Sequence, residues 1–214
     1  MKVVIFGATG LVGKNVLKEA LYQNHQVTVL TRKANKVSIL DKNLTVVVGD
    51  VTDRKTVSDV LKDQDAVIQC LGIGGKGDGK LTTFVSDANK LILDEMKKNN
   101  VQRLIAMSVI GAGDSIAFYP KIFTKVIFPY FMKWFQVIID DKNRMEPTIM
   151  NSGLDWTIVR STTIVDKPSK GNINVTLDGK GLKYSISIVD VATFIIKQLT
   201  DKSYLYQAPS ISNN

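Results

Sequence analysis

The placement of the first glycines limits this chain more than any other feature. Lys2-Val3-Val4-Ile5-Phe6 is a continuous apolar, largely β-branched run, and Gly7 stops it. Gly7-Ala8-Thr9-Gly10-Leu11-Val12-Gly13 follows at once. Leu11, Val12, Val16, Leu17, Ala20 and Leu21 then recur at helical spacing. A lone Gly-x-x-Gly-x-x-Gly says little. Between a buried strand and an amphipathic helix it becomes the opening of a βαβ unit.

The alternation continues through the first hundred residues, as expected of a parallel sheet with crossover helices. The first helix is expected to end near Asn24. Strands are expected over Gln26 to Leu30, Thr45 to Val48, Ala66 to Leu71, Arg103 to Met107 and Asp155 to Val159. Asp53 to Leu61 reads as a short helix capped by Thr52 or Asp53. A glycine-rich loop from Gly72 to Lys80 leads to a helix from about Leu81 to Lys98. Ile116 to Phe135 is rich in aromatics and broken by Pro120 and Pro129. Helical packing is expected to resume near Asp140 and stop at Ser152-Gly153. Asn172 to Leu177 and Lys183 to Ile186 flank Asp178-Gly179-Lys180-Gly181 like the arms of a small hairpin. A last helix runs from about Val189 to Leu199, and the tail after Gln207 reads as disordered.

Backbone N–H groups at the start of the first helix, with the positive end of its dipole, form a phosphate site. Gly7 makes the tight turn, Gly10 lets backbone approach a pyrophosphate, and Gly13 lets helix and sheet pack closely. The cofactor-binding residues expected are Gly7, Thr9, Gly10, Leu11, Val12 and Gly13, with Arg32 and Lys33 after the second strand. A site for NAD places an acid about 20 residues beyond the glycines. Here Thr31-Arg32-Lys33 stands there, and no acid occurs between Glu19 and Asp41. Two cations suit the 2′-phosphate of NADP, so NADP is favoured over NAD. Asp50 and Val51, after the third strand, are placed near the adenine. Leu71 and Gly72, after the fourth, are placed near the adenosine ribose.

Composition excludes more than it selects. The chain has 214 residues and a net charge of +8, with lysines scattered rather than in a long basic run. That charge favours anionic ligands, and no nucleic-acid partner is expected. One cysteine (Cys70) and one histidine (His25) exclude an internal disulfide and a metal site built from several of either residue, so no metal is expected. Cys70 lies in an apolar run and reads as a packed thiol. The aromatic stretch carries Lys121, Lys125 and Lys133 and is too interrupted to span a membrane. No cleavable leader is visible before Gly7, so a cytoplasmic location is expected.

Together with Val48-Gly49-Asp50-Val51 and Ser152-Gly153-Leu154-Asp155-Trp156-Thr157-Ile158-Val159-Arg160, the glycine loop resembles the atypical short-chain dehydrogenase/reductases, of the NAD(P)H-binding or NmrA-like type. Val175-Thr176-Leu177-Asp178-Gly179-Lys180-Gly181 and Asp190-Val191-Ala192 are similar to the flavin/biliverdin reductase branch. The resemblance implies a Rossmann-type doubly wound α/β fold, strand order 3-2-1-4-5-6-7. It is expected as a single NAD(P)-binding domain over residues 1–214, with a small C-terminal elaboration on the substrate side.

The chain departs from that pattern at the chemistry. None of its six tyrosines has a lysine four residues later, so the superfamily's Tyr-x-x-x-Lys is absent. Lys142 occupies the lysine's place, but Ile138 stands where the tyrosine belongs. Ser108, after the fifth strand, is near the reductases' serine. Thr163 stands where their histidine would be, and His25 lies at the far edge of the sheet. Ser108 and Lys142 are therefore the candidate catalytic residues. The expected function is hydride transfer from NADPH to a small planar acceptor such as a flavin or quinone. Phe118, Tyr119, Phe128, Tyr130, Trp134 and Phe135 either line the acceptor's pocket or pack over the sheet or a subunit contact. The alternative is an NADP(H)-sensing regulator without turnover. Sugar-nucleotide epimerisation is a third reading, disfavoured by the missing tyrosine. The expected assembly is a monomer or homodimer.

Overall fold

A computed structural model describes residues 1–73 and 80–213. Most of the glycine-rich loop expected between Gly72 and Lys80 lies outside them. The elements are β1 (Lys2–Phe6), α1 (Leu11–Tyr22), β2 (Gln26–Thr31), β3 (Leu44–Val48), α2 (Arg54–Leu61), β4 (Ala66–Gln69), α3 (Phe84–Lys98) and β5 (Arg103–Val109). They continue with α4 (Lys133–Met150), β6 (Asp155–Ser161), β7 (Thr163–Val165), β8 (Ile173–Thr176), β9 (Ser185–Ser187), α5 (Ile188–Lys197) and β10 (Ser210–Asn213).

Eight strands form one sheet in the order β3-β2-β1-β4-β5-β6-β10-β8, and β7 and β9 form a second, two-stranded sheet. The large sheet is parallel from β3 to β10, and β8 closes it antiparallel. Alternation along β1 explains both layers. Val3 and Ile5 face a core with Val16 and Leu17 of α1 and Val191 and Ile195 of α5. Val4 and Phe6 face the other side, against Val57 of α2, Ile92 of α3 and Met145 of α4. The order reverses between β1 and β4, the topological switch point where open α/β sheets hold ligands.

Three expectations need correction. The turn at Asp178–Gly181 forms, with Gly179 and Gly181 at φ +79° and +70°, but its flanks do not pair into a hairpin. β8 joins β10 instead, and β9 joins β7. A turn signal is local, whereas the partner of a strand is decided by the core it covers. The tail after Gln207 is not disordered: β10 fills the seventh place in the sheet. Its polar sequence hid a buried strand, in which groups from other elements satisfy Ser212 and Asn213. Ser212 Oγ accepts from Lys183 N at 3.0 Å, and Asn213 Nδ2 donates to Asp190 at 2.8 Å. Finally, α4 begins at Lys133 rather than near Asp140. The stretch before it coils as a π-helix over Phe123–Phe131, around Pro129, which has no N–H to give.

Candidate cofactor-binding site

At the switch point a cleft of about 640 Å³ opens at the carboxyl ends of β1, β2 and β4. Gly7, Thr9, Gly10, Arg32, Lys33, Asp50, Val51, Leu71 and Gly72 line it, nine of the twelve residues expected at the cofactor. Leu11, Val12 and Gly13 do not. Leu11 is largely exposed, Val12 packs toward the α1 core, and Gly13 is buried in the helix–sheet contact.

The three glycines serve different ends. Gly7 sits at φ +83°, and a Cβ on it would meet the Cys70 carbonyl oxygen at 2.6 Å. A Cβ on Gly13 would stand 2.1 Å from the Gly7 carbonyl oxygen, so packing alone forbids a side chain there. Gly10 differs. Its φ of −77° and ψ of 173° suit any residue, and an added Cβ meets only the Gly7 carbonyl oxygen, at 3.3 Å. Backbone strain does not explain glycine at this position, and the one close contact asks the Gly7 carbonyl to give by only a few tenths of an ångström. Gly10 caps α1 without a side chain, leaving the first-turn N–H groups and the helix dipole facing the cleft. That is a cradle a side chain would fill, and it suits a pyrophosphate.

Among the described residues, Lys14 of α1 and Arg32, Lys33 and Lys36 after β2 line the cleft and make its rim basic, with Asp50 the one carboxylate. Thr31, at the end of β2, fixes this rim: its Oγ1 donates to the Lys33 carbonyl at 3.2 Å and accepts from Lys33 N at 3.3 Å. Lys14 and Lys36 were missed in the sequence. Lys36 was legible in principle, being three residues from Lys33 on a 3₁₀ turn with three residues per turn. Asp50 is committed locally. Its Oδ1 accepts from Thr52 N at 2.9 Å and Thr52 Oγ1 at 2.8 Å. Those bonds, with Arg32 nearby, hold its carboxyl below the usual range. Phe84, at the start of α3, also lines the cleft. The Asp141 carboxylate of α4 fixes that helix end by accepting from Val85 N at 2.9 Å and Ser86 N at 3.2 Å.

Lys142 lies behind the inner wall. Its side chain is buried, and Nζ donates to the carbonyls of Met107 at 2.8 Å and Leu71 at 3.3 Å. Burial pulls its pKa down to about 8, against the opposing influence of Asp141, Cys70 and Glu146. Leu71 lines the cleft, so one backbone group separates this amine from it. Cys70 also borders the cleft; the residue keeps some exposed surface, but its thiol packs against the core on the α1 side, and desolvation pushes it up to about 12.

Ser108 is placed differently from the expectation. It lies within β5 rather than after it, is 3% exposed, and donates from Oγ to Glu146 Oε1 at 2.6 Å. It does not line the cleft. Glu146 of α4 also takes Arg160 Nε at 3.1 Å and a second Arg160 nitrogen at 2.6 Å, and Arg160 reaches Asp114 at 2.5 Å. Burial disfavours the Arg160 charge, but the bonded Glu146 and Asp114 carboxylates leave its pKa raised. This buried pair was not foreseen; the only hint was one cation directly after the apolar run Ile158-Val159.

The aromatic residues expected near an acceptor pack mainly on each other. Phe128 is buried edge-on against Tyr119 at 5.0 Å and Phe135 at 5.1 Å, and Trp134 lies against Phe135 at 5.6 Å. Phe118 covers Gly179. None of the six lines the cleft. His25 sits by the N-terminus, with Nδ1 3.4 Å from the Met1 amine, remote from the switch point.

Comparison with known proteins agrees with this geometry. The chain is 27% identical over 209 residues to the yeast protein UPF0659 protein YMR090W from Saccharomyces cerevisiae, covering 93% of this chain and 87% of that one. Its fold is similar to ChuY, an anaerobillin reductase from Escherichia coli O157:H7, with TM-score 0.78, 23% identity and coverage of 100% and 97%. It is also similar to a short-chain dehydrogenase/reductase (wide type) from Veillonella parvula solved with NADP, with TM-score 0.79, 17% identity and coverage of 99% and 94%. The family model described as NAD(P)H-binding matches residues 7–202, and the chain belongs to that family.

Proposed function

We propose that this protein binds NADPH in preference to NADH and reduces a small planar acceptor such as a flavin or quinone, acting as a single domain over residues 1–214. The observation that carries the cofactor choice is the rim of Lys14, Arg32, Lys33 and Lys36, with no acid at the end of β2. A ribose 2′-phosphate is dianionic over much of the neutral range, and a guanidinium meets it with charge-assisted hydrogen bonds. Gly7, Thr9 and Gly10 would hold the pyrophosphate, and Val51, Leu71 and Gly72 the adenosine half. The NADP held by the Veillonella protein and the reductase activity named for ChuY are in keeping with this reading.

When bound, the nicotinamide supplies the hydride. The chain's own part is to orient it and to manage protons. Lys142 is assigned to the nicotinamide ribose, reached when Nζ exchanges the Leu71 carbonyl for a ribose hydroxyl. With its pKa near neutrality, it can also hold or release a proton at Nζ. Ser108 reaches an acceptor only if its bond to Glu146 opens, so its contribution is small. A flavin or quinone suits the missing tyrosine, because such acceptors take hydride without a strong protein acid.

The test is NADPH oxidation by the purified chain against FMN, quinones, aldehydes and ketones. Turnover with a flavin or quinone is expected. Tight NADPH binding with no acceptor turned over would overturn the reductase and leave the NADP(H)-sensing regulator.

A further inference from the structure

The stretch that leads from Ser115 into α4 carries charge of one sign. From Ser115 to Ile139 it contains Lys121, Lys125 and Lys133 and no Asp or Glu. Its aromatic packing buries Phe128 but leaves other large apolar groups in water. Ile122 is 60% exposed, Val126 42%, Tyr130 71% and Phe131 77%. Positions 122, 126 and 130–131 return to one side of a helix whose hydrogen bonds run i→i+5. All three lysines are exposed, and among the described residues none pairs with a carboxylate.

An exposed apolar patch rimmed by one sign of charge marks an interaction surface. The charge also selects the partner. In a symmetric dimer the patch meets itself, which sets like lysines together with no acid in the segment to answer them. An anionic bilayer answers both features, since aromatic rings settle at headgroup depth and lysines are drawn to lipid phosphates. The segment is too short to span a bilayer, and among the described residues no helix is long and apolar enough to do so.

We propose that this face docks the protein on an anionic lipid surface, with its aromatic side chains entering the headgroup layer and its lysines meeting the phosphates.

The experiment is co-sedimentation of the full chain with phosphatidylcholine vesicles, with and without phosphatidylglycerol, at low and high salt. Binding to the phosphatidylglycerol vesicles is expected, with release by salt. Tyr130→Asp combined with Phe131→Asp should weaken it by at least about tenfold, through lost apolar burial. Lys121→Glu combined with Lys125→Glu should do the same through charge. Leu40→Asp, at a position 99% exposed elsewhere on the surface, serves as the control and should bind as the parent does. Circular dichroism establishes that each variant is folded. No sedimentation, equal sedimentation with phosphatidylcholine alone, or parent-like binding by either folded double variant would overturn the proposal. So would a parent dimer that Tyr130→Asp with Phe131→Asp dissociates, without vesicle binding.

Discussion

Replacing Lys142 by methionine is expected to stabilise the protein while impairing any reductase activity. Lys142 is only 6% exposed, and its amine donates to two backbone carbonyls and, more weakly, to Met145 Sδ, with no carboxylate in hydrogen-bond reach among the described residues. Burial lowers its pKa from 10.5 to about 8. Each tenfold loss of proton affinity corresponds to about 1.4 kcal/mol, so the buried charge costs about 3 kcal/mol at neutral pH. Methionine has a similar shape and no charge, but it leaves the Met107 and Leu71 carbonyls without this donor, at about 1–2 kcal/mol. The net gain at pH 7 is about 1–2 kcal/mol, at roughly 2–4 °C each in Tm for a chain of this size.

The pH dependence has a definite sign. Between about pH 8 and 10.5 the unfolded chain holds a proton that the folded chain has released, so wild-type stability rises through that window. The advantage of Lys142→Met is full below pH 8, is lost between about pH 9 and 9.5, and turns into a deficit of about 1–2 kcal/mol by pH 10.5, where only the missing donor remains. Urea unfolding of both proteins at pH 7 and pH 9.5 measures this difference. A variant less stable than wild type at pH 7, or a difference that ignores pH, would show that the buried charge on Lys142 carries no such cost.

Arg32→Ala should weaken NADPH by about tenfold, the low end for a charged hydrogen bond because Lys14, Lys33 and Lys36 remain. NADH should barely respond, and equal losses in a fluorescence titration would remove the 2′-phosphate assignment. Glu146→Gln leaves Arg160 buried with only the exposed Asp114 as a charged partner. It should cost about 3 kcal/mol in urea unfolding, and an unchanged midpoint would show that the pair is not formed. Ser108→Ala should lower kcat with a measured acceptor by no more than about tenfold, with NADPH affinity intact. A larger loss would place its hydroxyl at the reacting atoms.

The first two-thirds of the sheet was legible because its signals are local. β1 to β6 each show a short apolar run, and Asp53 caps α2 as its position suggested, accepting from Lys55 N and Thr56 N. The last third was not. β10 is Ser210–Asn213, a polar strand whose burial depends on partners such as Asp190, 20 or more residues away. The site divides in the same way. Gly10 and Arg32 follow strand ends and can be read directly. Lys142 can be placed on its helix, but its burial depends on how α4 packs across β4 and β5. Ser108 meets Glu146 only through that same packing, so its engagement could not be seen from spacing.

Titration of NADPH into wild type and Gly10→Val asks whether a dinucleotide lies against Gly10. The backbone dihedrals at Gly10 suit any residue, and the added Cβ asks a single carbonyl, 3.3 Å away, to give by a few tenths of an ångström, so circular dichroism first establishes that the variant is folded. Its branched side chain would occupy the place assigned to the pyrophosphate. A folded Gly10→Val protein with NADPH affinity reduced by at least about tenfold is expected. A folded variant that binds NADPH as tightly as wild type would contradict that placement.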